Sequence, residues 1–219
     1  MQNATTLPIN DSPAFLATIK VLTASNPVAG LWSLPFRDKL KVMRTLALAE
    51  LQARQKIRPY QQLRYWSTVP FRHGPDDVVK FSAIPSPDNP ARPLQKGNPK
   101  GLQDELARHI KEDGQMSFFH FAVQFLDIRK MKYWGKTRDA NFWIENASVE
   151  WSEAEAPFHR IARLTLIGNS QLSLEASAAV YFDVTGNSTA DSRPLGSINR
   201  ARWPAEVASR RARAQAAGR

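Results

Sequence analysis

Residues 117–127 read Ser117-Phe118-Phe119-His120-Phe121-Ala122-Val123-Gln124-Phe125-Leu126-Asp127. Phe119, Phe121, Val123 and Phe125 share one parity, and Phe118, His120, Ala122 and Gln124 share the other. Successive side chains of an extended chain point to opposite faces, so this stretch predicts a β-strand with one apolar and one mixed face. Such a strand suits a sheet with a core on one side and a more polar second side.

Working upstream, Arg64–Phe71 and Val78–Ile84 are rich in aromatic and β-branched residues. His73-Gly74-Pro75-Asp76 separates them as a turn cluster, so a hairpin is expected. Residues 85–101 hold Pro85, Pro87, Pro90, Pro93 and Pro99 and predict a surface loop. A short helix is expected at 102–113, with Leu102, Leu106 and Ile110 on one stripe and Gly114 ending it. Downstream, residues 142–151, 159–168 and 172–184 read as further strands. Gly168-Asn169-Ser170 turns between the last two, and Gly186-Asn187-Ser188 ends them.

The ends of the chain read as helical. Ser12-Pro13 supplies a capping hydroxyl and a proline at the first helical position. Phe15, Ile19 and Leu22 follow at helical spacing, and Asn26-Pro27 stops that helix. A second helix is expected over 37–57, with Leu40, Met43, Ala47 and Leu51 on its apolar stripe and Lys39, Lys41, Arg44 and Arg54 on its wet face. A last helix begins near Pro194, and Pro204 inside it predicts a kink or a restart. Helices, a run of antiparallel strands and a final helix make an α+β pattern rather than an alternating βαβ one.

The 219 residues carry a net charge of +10. Residues 1–60 hold 8 Lys/Arg against 3 Asp/Glu, and residues 200–219 hold 6 Arg against Glu206 alone, while the middle is neutral. Basic arms on a neutral body fit a nucleic-acid reader. Two solvated helices with excess arginine are the preferred explanation, and nucleic acid ranks behind. No stretch approaches 18 apolar residues, so no membrane span is expected, and Met1–Asp11 lacks the pattern of a secretory leader. With no cysteine, disulfides, thiolate metal sites and cysteine nucleophiles are excluded, which suits a cytoplasmic protein.

Chemistry-bearing motifs are sparse. The four histidines, His73, His109, His120 and His159, lack metal-site spacing. His109 and His159 are expected at the surface, and His120 as a hydrogen-bonded sheet residue. Glu150 and Glu153 flank Trp151 and are read as a solvated strand end in preference to a catalytic pair. The Arg129–Arg138 stretch, with Tyr133 and Trp134, has the interleaving that stacks bases, but is read as a basic loop with two partly buried rings.

Several strings occur in an order that resembles the catalase superfamily, closest to its smaller bacterial catalase-like haem proteins. They are Tyr65-Trp66-Ser67-Thr68-Val69-Pro70-Phe71-Arg72-His73-Gly74, Val79-Lys80-Phe81-Ser82, Phe121-Ala122-Val123-Gln124 and Ile144-Glu145-Asn146-Ala147-Ser148-Val149-Glu150-Trp151. Pro157-Phe158 with Ile161-Ala162-Arg163-Leu164-Thr165-Leu166 follows, and then Arg193-Pro194-Leu195-Gly196-Ser197-Ile198-Asn199-Arg200-Ala201-Arg202. The resemblance implies an antiparallel sheet that is part of a catalase-type β-barrel, flanked by N-terminal helices and a C-terminal helix. It also implies haem b between sheet and C-terminal helix, with hydrogen peroxide or an organic hydroperoxide as substrate.

In that family a tyrosinate binds the iron, and an arginine one turn earlier keeps it ionised. The motif falls here on Arg202 and Glu206, so a carboxylate stands at the ligand position. Arg213 matches a family arginine that contacts a haem propionate. The match covers the second half of the family pattern, and no histidine matches the distal acid–base, so no catalytic residue is assigned and impaired activity is expected. The chain is thus read as a single catalase-like domain, 1–219, truncated at its N-terminus. Within it, 1–60 is helical, 61–185 an antiparallel sheet and 193–219 a basic helix. An open half-barrel exposes sheet edges, which predicts a homodimer. The alternatives are a degenerate, haem-free half-barrel without activity and, behind it, a basic nucleic-acid-binding module.

Overall fold

The structure is a computed structural model that describes residues 2–54, 56–94, 97–170, 172–173, 176–177, 180 and 183–216. Three helices come first: α1 (Ser12–Leu22), α2 (Pro27–Ser33) and α3 (Phe36–Ala53). Five strands form one open antiparallel sheet: β1 (Tyr65–Trp66), β2 (Phe71–His73), β3 (Asp77–Pro85), β4 (Ser117–Phe125) and β5 (Phe158–Leu166). The order is β1-β3-β4-β5, and β2 also pairs with β3. Helix α4 (Gly101–Ala107) precedes β4, α5 (Ala140–Glu145) lies between β4 and β5, and α6 (Ser197–Ala216) ends the fold. The α+β class holds, and sheet pairing runs from Tyr65 to Leu166 with helices interposed.

The stretch 117–127 forms β4 as its alternation predicts. Antiparallel partners opposite one another share a face. Phe81 opposes Val123, Ala83 opposes Phe121 and Val79 opposes Phe125, so these residues share an aromatic face with Phe71. Lys80 opposes Gln124 and Ser82 opposes Ala122 on the mixed face. Gln124 is buried there, and its amide donates to the carbonyls of Trp151 (2.9 Å) and Ala156 (2.7 Å). These bonds hold the 146–157 loop against the mixed face. Trp143, Trp151, Met131, Val149 and Ala156 form a buried cluster in this region.

The predicted hairpin is broken into three. Ser67 interrupts the outer strand, with its N–H donating to the Phe81 carbonyl (2.8 Å) and its Oγ accepting from the Phe81 N–H (3.0 Å). Thr68 follows at a φ of 61°, so the chain turns away before β2 resumes pairing. The 85–101 loop is tied down by buried Asn89, whose side chain bonds the Gln61 carbonyl and both backbone groups of Phe118. The expected strand at 142–151 is a correction: Asp139 caps α5 through the Phe142 N–H at 2.7 Å, and irregular loop follows. A capping carboxylate at that place outweighs the β-branched content of the segment. The strand expected at 172–184 falls in part outside the described residues; of the described ones, Ala176 and Ser177 are helical and none is in a strand.

The N-terminal helices also differ from their predicted orientation. Asn26-Pro27 is a start and not a stop: α1 ends at Leu22, and Asn26 Oδ1 accepts from the Val28 and Ala29 N–H groups and caps α2, while Asp11, not the expected Ser12, caps α1. Ala17 and Val21 of α1 pack on Val42 of α3. The expected stripes point outward: Phe15, Ile19, Leu22, Leu40, Met43 and Leu51 are all exposed. Small and β-branched side chains let the helices approach closely, and this contact leaves the larger apolar side chains on the opposite face. The long C-terminal helix runs through Pro204 without a restart.

Lys80 is the unusual member of the core, 4% exposed on β3. Burial lowers its pKa to about 7, against a smaller opposing pull from the Glu150 carboxylate. The unfolded side chain titrates near 10.5, so between those values the unfolded chain binds the extra proton and stability rises with pH. Below about 7 Lys80 is charged in both states and its burial cost is at full value. Lys80→Met should therefore stabilise the protein at pH 6, by on the order of 4 kcal/mol. That advantage should shrink towards pH 10, and an equal advantage at both pH values in urea titrations would contradict the assignment. In the same assay Trp143→Ala should cost about 3–5 kcal/mol through the cavity it opens. Exposed Trp32→Ala should stay within about 0.5 kcal/mol of the parent.

Candidate functional site

The predicted site residues lie on α6, whose position is fixed by its first turn. The break after Ser67 presents the Pro70 carbonyl outward, where it accepts from the Leu195 N–H (2.9 Å) and the Asn199 amide (3.2 Å). The Arg72 N–H donates to the Arg193 carbonyl at 2.8 Å, so residues 191–195 cover the outer edge of β2. Glu145, at the end of α5, accepts from the Ser197 N–H (2.8 Å) and from both terminal nitrogens of Arg200 (2.9 Å each). A carboxylate on a helix N-terminus satisfies a free N–H and complements the helix dipole. Gly196 lies between these anchors at a φ of +85°, and a Cβ there would sit 2.7 Å from the Ile144 carbonyl oxygen. Only glycine tolerates both the backbone angle and the close approach.

Arg202, Glu206 and Arg213 line one cavity of about 470 Å³ together with Ser209 and Arg210. Arg202 Nε stands 3.8 Å from Glu206 Oε1, one turn along the helix. The other carboxylate oxygen of Glu206, Oε2, is buried and has no hydrogen-bond partner. Arg210 faces Asp183 at 3.7 Å. Arg202 also lines a second cavity of about 300 Å³ over the aromatic face of the sheet, walled by Phe71, Phe81 and Phe121. Their rings are in series, with centroids 5.2 Å apart between Phe71 and Phe81 and 5.4 Å apart, nearly parallel, between Phe81 and Phe121. An aromatic wall thus adjoins an arginine-rich one. That combination suits a planar hydrophobic molecule with anionic substituents.

All three residues expected on α6 come together. The aromatic trio and Arg210 were missed. The spacing of 202, 206, 209, 210 and 213 puts them on one helical face and could have found Arg210. The trio needed the strand register.

None of the four histidines lines either cavity. His73 and His159 are exposed, their rings against Phe125 at 5.6 and 6.2 Å. His120 lies on the mixed face opposite Arg163. The surface expectation for His109 is corrected: it is 1% exposed, and its Nε2 lies 2.6 Å from Ser117 Oγ. Burial lowers its pKa, which keeps the ring neutral. Glu150 and Glu153 are exposed as expected, in a loop rather than at a strand end. In the Arg129–Arg138 loop Tyr133 is partly buried, but Trp134 is 87% exposed. Among the described residues, no group of three or more His, Cys, Asp or Glu side chains is placed to hold a metal ion, and no helix is long and apolar enough to cross a membrane. No protein-family model matches the chain, and no curated protein matches it.

If Glu145 anchors α6, Glu145→Ala should cost about 1–2 kcal/mol, the worth of a charge-assisted hydrogen-bond set on a partly exposed pair. It should also speed amide hydrogen exchange in the first turns of α6, while Glu145→Gln keeps part of the protection. Unchanged exchange in Glu145→Ala would show that the anchor lies elsewhere.

Proposed function

We propose that this chain is a catalase-like haem-binding protein, with haem b between the aromatic face of the sheet and α6. The carrying observation is Glu206 Oε2, a buried carboxylate oxygen without a partner in a cavity whose other charged lining is arginine. A buried acceptor left unpaired is costly, and a ferric iron is a fitting partner for it. Glu206 stands at the position of the proximal ligand. Arg202 Nε stands 3.8 Å from it, one helical turn away, and would balance its charge. Arg213 and Arg210 would neutralise the propionates, and Phe71, Phe81 and Phe121 would pack against the ring. When bound, the haem would supply an iron centre able to react with hydrogen peroxide or an organic hydroperoxide. The protein would contribute the pocket, the Glu206 carboxylate to hold the iron and the arginines that balance charge. Among the described residues no histidine lines either cavity to serve as the distal proton carrier, so turnover should be weak.

The test is a hemin titration of the purified chain followed by visible spectroscopy and peroxide consumption. Stoichiometric binding with a shifted Soret band is expected. Glu206→Ala should weaken binding at least tenfold or leave the spectrum of unligated hemin. Glu206→Tyr should bind with a new, phenolate-type spectrum. No shift at one equivalent of hemin, or identical spectra for the parent and Glu206→Ala, would overturn the reading in favour of a haem-free half-barrel.

A further inference from the structure

We propose that the mixed face of the sheet, away from the haem site, holds a binding site for a small inorganic monoanion of about the size of one water molecule, a halide first among them. The Nζ of Lys80 is buried without a hydrogen-bond partner and sits 4.6 Å from the centroid of the Trp151 ring. It borders a cavity of about 10 Å³, also lined by Trp66, Thr68, Gln124 and Phe158. That volume is room for about one water molecule.

The character of the ligand follows from what lines the cavity. Trp66 Nε1 and Trp151 Nε1 are also buried and unpartnered. Arg64 stands behind the lining: its Nη2 is likewise buried and unpartnered, and its guanidinium stacks on two lining residues, Trp66 and Phe158, at 4.9 Å. All four free atoms are N–H donors, and no lining residue leaves a buried acceptor unpaired. A water molecule must donate as well as accept, so it leaves a cluster of unpartnered donors incompletely matched. A halide accepts several N–H groups and donates none, and it brings the charge that a buried ammonium lacks.

The carboxylates on the cavity rim are Glu150 and Glu153. Glu153 is committed to Arg64 Nη1 at 2.8 Å. Glu150 is exposed and acts on Lys80 through space alone. Both are solvent-exposed, so their charge is screened more than that of buried Lys80. The lowered Lys80 pKa fits a cation left without its counterion, and anion binding should draw the proton back onto the amine.

The probe is bromide, used on the intact chain. Titration at pH 6 should give a saturable component of tryptophan fluorescence quenching, over the linear quenching of exposed Trp32 and Trp134. Its half-saturation concentration should rise about tenfold per pH unit above about 7, as protonated Lys80 becomes scarce. Lys80→Met, which keeps the apolar stem, should lose the saturable component and keep the linear one. Bromide-soaked crystals should show an anomalous peak beside Lys80 Nζ. The pH series on the parent protein tests the site even if the variant does not fold. Linear quenching at every pH, or a crystal with no bromide at Lys80, would overturn the proposal.

Discussion

Strand β4 is paired along both edges, to β3 and to β5, and the rest of the structure depends on that pairing. A strand held on two sides cannot slip by one residue without moving every side chain to the opposite face. The register gives Phe81 and Phe121 to one side, and Lys80 and Gln124 to the other. The aromatic side then becomes the floor of a cavity under α6. On the other side, the Gln124 amide secures the loop that carries Trp151, whose ring lies over Lys80. Both cavities are consequences of one alternation.

That alternation was legible in the sequence because period-two patterning is local. The start of α1 was legible for the same reason, although the cap is Asp11 and not the expected Ser12, and Asn26-Pro27 was read as a stop and is a start. The 142–151 segment was misread because its β-branched and aromatic residues serve loop packing, while the deciding signal, Asp139 three residues before Phe142, lies outside it. The helix stripes were misassigned for a different reason. Periodicity identifies an apolar face, but which face turns inward depends on the neighbour, and α1 and α3 meet through Ala17, Val21 and Val42. His109 shows the same limit, since its partner Ser117 belongs to another element.

The residues on α6 were found by resemblance, and the geometry adds what the strings did not contain. The unpaired oxygen of Glu206, the shared use of Arg202 by two cavities and the aromatic trio are products of tertiary contact. Lys80 was quoted within a family string and assigned no role. Its significance is visible only once burial and the absence of a partner are known.

Hydrogen exchange on the full chain, with and without one equivalent of hemin, tests the central claim most directly. The account predicts slowed exchange in α6 and in the segments of β3 and β4 that carry Phe81 and Phe121, and little change in α1–α3. Protection confined to the N-terminal helices, or no change anywhere with hemin bound, would contradict it.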